Sequence, residues 1–245
     1  MALKIPPGII KAKTKMNPGG FIMKKAARKV IITTACILLI SVIAAAAALV
    51  LLKIKTDSIN DDYTYLYEDR AYSEPVYAEG VDLITQDVSC GYAVLEMFAG
   101  WSGDDSITEE SLYDEYGKVV TSTGKSFLEQ MNLRFPQYTT TMNKYMTNSE
   151  LIEAVYGSLQ RGIPVPCEWA ALYEDTWTLH YSLIIGMDIP NDQITVANPY
   201  GYIEQITLDE FLSRTRFDAY EDMPLFLKLA FAFGLFEENT VFIAQ

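Results

Sequence analysis

The 245 residues carry 32 acids against 19 bases, a formal net charge of −13, with half of the residues apolar, one histidine and three cysteines. That balance argues against a nucleic-acid surface, which rewards bases, and a single imidazole with scattered thiols offers no zinc spacing; no Walker loop or dinucleotide fingerprint is found in the sequence either. The charge is divided along the chain: residues 1–55 hold ten bases and no acid, while residues 56–245 hold nine bases and all 32 acids, a net of −23, as expected when two parts of a chain face different environments.

In chain order, a basic tail over residues 1–29 precedes Val30 to Leu52, "VIITTACILLISVIAAAAALVLL", which is uncharged over 23 residues. At about 1.5 Å rise per residue such a run crosses a hydrocarbon core of about 30 Å. A soluble core helix of this length would show polar positions at helical spacing, so residues 30–52 are expected to hold a lipid bilayer as a transmembrane helix. The alternative is a cleaved secretory signal, for which "AAAAA" offers small residues, although an h-region is ordinarily about 7 to 15 residues long. Seven bases between Lys11 and Lys29 precede the span, against Lys53 and Lys55 soon after it. The positive-inside rule then puts the amino terminus in the cytoplasm and the rest outside, as a single-pass protein of the cell membrane. Cys36 reads as a small packing residue within the span.

Residues 53–80 are acidic and tyrosine-rich, without apolar periodicity, and read as a linker or as an arm lying on the domain. Residues 81–245 suffice for one sizeable core. Within them Cys90 to Gly100 reads as a buried helix with Gly100 as its C-cap, and "SITEESLYDEYG" and "KSFLEQMNLRF" as short amphipathic helices. "TNSELIEAVYGSLQRG" is a helix capped by Thr147, Asn148 or Ser149 and ended by Gly162. Strands are expected at "IPVPCEWAAL", "LHYSLIIGMDI" and "QITVANPYG", the last two joined as an antiparallel hairpin by the turn signal "PND". "IEQITLDEFLSR" offers a short strand with Thr207 capping a helix, and "MPLFLKLAFAFGLF", too short to span and interrupted by Lys228, reads as a buried helix. The fold class is α+β: helices first, then a mostly antiparallel sheet.

Cys90 stands at a helix start, where the free amides and the helix dipole favour a thiolate. The one imidazole is His180, at the start of a strand, and Asn198 closes the next strand of the hairpin. A hairpin turning near Pro190 to Asp192 returns His180 and Asn198 side by side, so Asn198 can orient the ring; it can equally make an Asx turn before Pro199. Gln86, four residues before Cys90, can offer its amide, with the Cys90 backbone N–H, as an oxyanion hole.

"Q-x-x-x-C-G-Y-A", followed by "H-Y-S-L-I-I-G-M-D", "I-T-V-A-N-P-Y-G" and "I-T-L-D-E-F", resembles the C39-like branch of the papain-like cysteine peptidases over residues 81–213. The resemblance implies a papain-like fold, with a Cys-bearing helix on a mostly antiparallel sheet. It implies Cys90 as nucleophile, His180 as general base and acid, Asn198 as orienting group and Gln86 as oxyanion donor, acting on a peptide or protein substrate with no cofactor and no metal. Here Asn198 occupies a position that is commonly Asp in this branch, the Gln-to-Cys spacing is shorter than usual, and Tyr92 replaces a frequent Pro. No ATPase segment accompanies this region, so a transporter-linked role is not expected.

Two rival readings use the same residues. An inactive peptide-binding domain would follow if Cys167 closed a disulfide with Cys90; otherwise Cys167 is a small buried residue of a strand. Acyl transfer to an amine would use the same triad. Trp169, Trp177 and Tyr200 line either a substrate groove or the core, and Asp188 and Asp192 mark a solvated turn or touch a cation. Sequence leaves the oligomeric state open.

Overall fold

The computed structural model describes residues 18–117, 121, 123–217 and 224–245, with side chains from Ala27 onward. Most of the basic tail therefore lies outside the described residues. The chain divides into two units, Met1–Ala47 and Ala48–Gln245. In the first, α1 (Pro18–Ile59) begins, and its side chains from Val30 to Ile43 are uncovered, Ile40 for example at 66% exposure. Among the described residues this is the one helix long and apolar enough to cross a membrane.

The second unit starts with the end of α1 and continues through two 3-10 turns, Thr64–Tyr67 and Arg70–Tyr72, to the short strand β1 (Val76–Tyr77). It then forms α2 (Cys90–Ser102), α3 (Glu109–Tyr116), α4 (Gly124–Arg134), β2 (Thr140–Asn143) and α5 (Asn148–Leu159). The rest is β3 (Val165–Tyr173), β4 (Thr176–Asp188), β5 (Gln193–Asn198), β6 (Tyr202–Ile206), α6 (Leu208–Thr215), α7 (Leu225–Ala232) and β7 (Thr240–Ala244). The strands form one antiparallel sheet in the order β2-β7-β3-β4-β5-β6, and β1 pairs with the far end of β4. This is the α+β architecture expected, helices packed on an antiparallel sheet.

The helices start where the sequence supplies caps. Ser89, Thr108, Thr123, Thr147 and Thr207 each accept a backbone N–H of the first turn through the side chain, which satisfies donors that a helix start leaves free. The end of α2 differs from expectation. It runs past Gly100 to Gly103, which takes the left-handed conformation at φ 85° and returns its N–H to Ala99 and Gly100, because the glycine that can adopt positive φ is the one that closes the helix. β2 and β7 were not expected as strands. They pair with each other, Thr140 opposite Ala244, and β7 also pairs with β3 through Cys167 and Val241. A sequence window does not register a four-residue strand whose partner lies a hundred residues away.

Side chains alternate across the sheet, and this alternation separates two cores. One face, carrying Cys167, Trp169, Ala171 and Ile184, packs with Leu151, Val155, Phe211 and Leu212 of α5 and α6. The other, carrying Tyr181, Leu183, Ala197 and Phe242, packs with Tyr92, Leu95, Phe98, Phe127 and Met131 of α2 and α4. The arm is tied to the domain by its tyrosines: Tyr67 donates to Asp192 at 2.7 Å, Tyr65 to Glu153 at 2.9 Å, and Tyr72 meets Tyr156 edge-on at 5.0 Å. Asp192 also accepts the Leu208 N–H at 3.1 Å, so that carboxylate joins the arm to α6. The helix α7 is not buried as its composition suggests: only Phe231 is covered, while Leu225 and Phe226 are exposed.

Candidate active site

Cys90 is the first residue of α2. The loop before it is held by Glu109 of α3, whose carboxylate accepts the backbone N–H groups of Asp87, Val88 and Ser89 at 2.7, 3.3 and 2.9 Å. Glu96 of α2 in turn accepts the Glu109 N–H at 2.7 Å, so α2 and α3 lock the launch angle of the cysteine together. Gly91 is required by space: a Cβ there would stand 2.3 Å from Oγ1 of Thr121. Tyr92 donates its hydroxyl to the Gly117 carbonyl at 2.6 Å and so anchors the helix start to the end of α3.

His180 is buried on β4, opposite Trp169 of β3. Its Nε2 is 2.9 Å from Oδ1 of Asn198. The same Oδ1 accepts the Tyr200 N–H at 2.9 Å, and the Gly201 N–H returns to the Asn198 carbonyl at 3.0 Å. "NPYG" is thus a tight turn, with Gly201 at φ +95°, and Asn198 makes both the Asx turn and the contact to the ring. Its Nδ2 donates to Oε1 of Glu204 at 2.6 Å, and the Arg214 guanidinium donates to Oε2 of Glu204 at 2.6 Å. Arg214 lies over the Trp169 ring at 4.4 Å. Because Oδ1 receives a backbone N–H and Nδ2 gives to a carboxylate, the amide cannot turn over without losing both bonds. Nε2 of a neutral His180 must therefore carry the proton, which leaves Nδ1 as the basic atom.

The ring of Tyr200 stacks on His180 with centroids 4.0 Å apart and planes 22° apart, and its hydroxyl pairs with Thr178 at 2.8 Å. Cys90 packs against the core cluster that holds Tyr181, the residue after the histidine. The burial of Tyr200 raises its phenol pKa, and the nearby Cys90 thiol adds to that. These contacts put the helix start and the imidazole-bearing strand on one another. Gln86 joins them through its backbone, whose N–H donates to the Pro199 carbonyl at 2.8 Å; its side-chain Oε1 is buried and makes no hydrogen bond.

Electrostatically the site is dry. Burial pushes the Cys90 thiol up to about 11, against which the amides of Tyr181 and Gly91 act in the lowering direction. Burial takes His180 down to about 4, opposed by the bond to Asn198 and aided by the Arg214 charge. Both groups are therefore neutral at pH 7. Beneath the cysteine, on the face shared with Tyr181, Glu168 is wholly buried with neither carboxylate oxygen hydrogen-bonded, and burial raises it to about 8.

Cys167 sits on the opposite face from Glu168 and Tyr181. Its thiol contacts the Ser182 carbonyl at 3.6 Å, and Cys36, Cys90 and Cys167 are all free. Trp169 is core, fully buried with its N–H on Ser182 at 3.0 Å. Sequence spacing does not point to Glu204 or Arg214. The available signals were a carboxylate in the strand after "NPYG" and an arginine next to the last residue of the following helix, both ordinarily surface features.

The profile described as "Peptidase_C39 like family" matches residues 78–223. No curated protein matches the chain. Among solved structures, the chain is similar to one titled "Crystal structure of a double glycine motif protease from AMS/PCAT transporter in complex with the leader peptide" at 15% identity and a TM-score of 0.44, covering 69% of this chain and 96% of that one.

Proposed function

The chain belongs to the Peptidase_C39 like family, and from that premise we propose that it is a membrane-anchored cysteine peptidase that cleaves a peptide or amide bond outside the cytoplasm with Cys90, His180 and Asn198. The observation that carries this reading is the bond from His180 to Asn198 at 2.9 Å, with Cys90 at the start of α2 packed against the core that holds Tyr181, the residue after the histidine. Family membership supports the class of reaction; the uncharged run Val30 to Leu52 and the basic residues before it support the anchor and its direction.

At rest the thiol and imidazole are both neutral, so the proton passes from Sγ to Nδ1 of His180 as the sulfur attacks the carbonyl carbon. The tetrahedral oxyanion is received by the Cys90 backbone N–H at the start of α2, with the Gln86 amide as second donor. The imidazolium then returns its proton to the leaving nitrogen, and water releases the acyl group from Cys90 by the reverse sequence. Asn198, fixed by Glu204 and Arg214, keeps Nε2 protonated throughout, so that Nδ1 is the atom that takes and returns the proton. Domain limits follow as part of the same proposal: tail 1–29, span 30–52, arm 53–80 and peptidase domain 81–245.

The test is covalent labelling of the full chain in detergent with a thiol-reactive peptide electrophile. Cys90→Ala removes the label and lowers peptide hydrolysis by at least about 10³-fold, whereas Cys167→Ala leaves both in place. Labelling that survives in Cys90→Ala rejects the assignment.

A further inference from the structure

The residues from Pro224 to Phe236, "PLFLKLAFAFGLF", contain a single charge, Lys228, and carry α7. Leu225, Phe226, Phe233 and Leu235 are exposed at 62, 68, 61 and 65%. Every other large apolar side chain after Leu52 in the described residues is less exposed, Leu133 being next at 59%. An uncovered cluster of this kind marks a contact surface.

The inner side of the same segment shows what it meets. Phe231 packs on Phe217 at 4.4 Å and on Phe236 at 5.7 Å, over Ala170 of β3. Leu52 and Trp177 complete this small core. Leu52 is the last residue of the uncharged run, so α7 is fastened to the point where that run ends. Leu49, Leu52 and Phe231 line one cavity of about 390 Å³ whose charged residues are Lys53, Asp57, Arg216, Lys228 and Glu238. Apolar side chains at the end of a span, followed at once by lysines and accompanied by a tryptophan, are the composition of the interfacial layer of a bilayer.

On the reading of residues 30–52 as a membrane span, we propose that α7 lies in the interfacial layer of the same bilayer, with Leu225, Phe226, Phe233 and Leu235 among lipid acyl chains. Lys53, paired with Asp57 at 3.1 Å, and Lys228 lie at the level of the headgroups, their stems resting on apolar surface. Bilayer lipid is the occupant because the position of the patch is set by Leu52. A soluble partner would have to reach a surface attached to the membrane exit. Trp177 stands three residues from His180 on β4, about 10 Å along the strand, so the reacting groups are held close to the lipid surface and favour peptide bonds presented there.

The experiment places p-benzoyl-phenylalanine singly at positions 43, 226, 233 and 133 of the full chain in vesicles of phosphatidylcholine and phosphatidylglycerol, irradiates, and reads the adducts by mass. All four positions are exposed, so the substitutions leave the core intact. Lipid adducts at 43, 226 and 233 with none at 133 are expected. Lipid adducts at 43 alone overturn the inference while leaving the anchor standing. Adducts at 226 or 233 to a second copy of the chain overturn it in favour of a protein interface. No lipid adduct at 43 rejects the anchor, and the inference with it.

Discussion

The two faces of the β3–β4 ladder treat buried polarity in opposite ways. On the His180 face each charge has a partner: Asn198 bonds the ring, Glu204 bonds Asn198, and Arg214 bonds Glu204 at 2.6 Å. On the next residue along, the Tyr181 face holds Glu168 and the Tyr181 hydroxyl, both buried without a hydrogen bond, against Phe127, Phe242 and the start of α2. One face is wired and the other is dry. The difference teaches how a neutral thiol and a fixed imidazole coexist: fixing the ring needs a polar network, whereas a thiol stays protonated where the dielectric is low.

The dry face is the easier to break. Phe127 is fully buried and stacks on Tyr181 at 4.6 Å with planes 11° apart. Phe127→Ala opens a cavity there and is expected to cost about 3 to 5 kcal/mol, measured by urea unfolding of the chain in detergent. Water admitted into that cavity also brings the Cys90 thiol back toward its ordinary range, seen as faster alkylation at pH 8. A cost under about 1 kcal/mol would mean that this face is already open to solvent, since cavities in closed cores cost more.

The wired face is tested by Glu204→Gln. One of two acceptor oxygens becomes a donor, so either Asn198 or Arg214 loses its bond, and an Asn198 amide that turns over presents Nδ2 to the imidazole. A reacting pair displaced by about 1 Å loses on the order of 10²-fold in rate. That loss is expected in kcat with KM little changed. The Asn198 bond raises His180, so its loss also moves the acid limb of the kcat profile to lower pH. A variant that is merely less folded loses activity in proportion at every pH and leaves the limb where it was.

The contrast between the faces was half legible in the sequence. The hairpin from β4 to β5, the cap at Thr207 and the start of α2 are local signals, and the structure has them where turn and cap residues put them. The contact between His180 and Asn198 was local as well, because a short turn brings hairpin ends together. Glu204 and Arg214 were not, because partnership between a strand and the helix after it depends on how α6 folds back over the sheet. Glu168 sits in "PVPCEWAAL" and looks like an ordinary outward carboxylate of an edge strand; β7 pairs with β3 on the side away from β4, and that long-range pairing makes β3 a central strand. The exposure of α7 was equally hidden, since composition reports how apolar a helix is and not which surfaces surround it.

The smallest of these effects is the most diagnostic of the dry face. His180, lowered from 6.5 to about 4, contributes stability that is whole above pH 6.5 and is lost as pH falls toward 4. Glu168, raised from 4.5 to about 8, contributes stability that is whole below pH 4.5 and is lost as pH rises toward 8. Each group gives a slope of about 1.4 kcal/mol per pH unit within its own window. The slopes oppose each other between pH 4.5 and 6.5, where the wild-type chain is flat. From pH 6.5 to 8 only Glu168 acts, and stability falls by about 2 kcal/mol. Glu168→Gln keeps the shape of the protonated acid and removes its titration. The variant is expected to gain stability from pH 4.5 to 6.5 and then hold level to pH 8, the two curves parting by about 2 kcal/mol above 6.5. Urea midpoints at pH 5.5, 6.5 and 8 suffice to see it. Curves that stay parallel across those three values would mean that Glu168 is ionised and solvated in the folded chain, and the two faces of the ladder would then not differ.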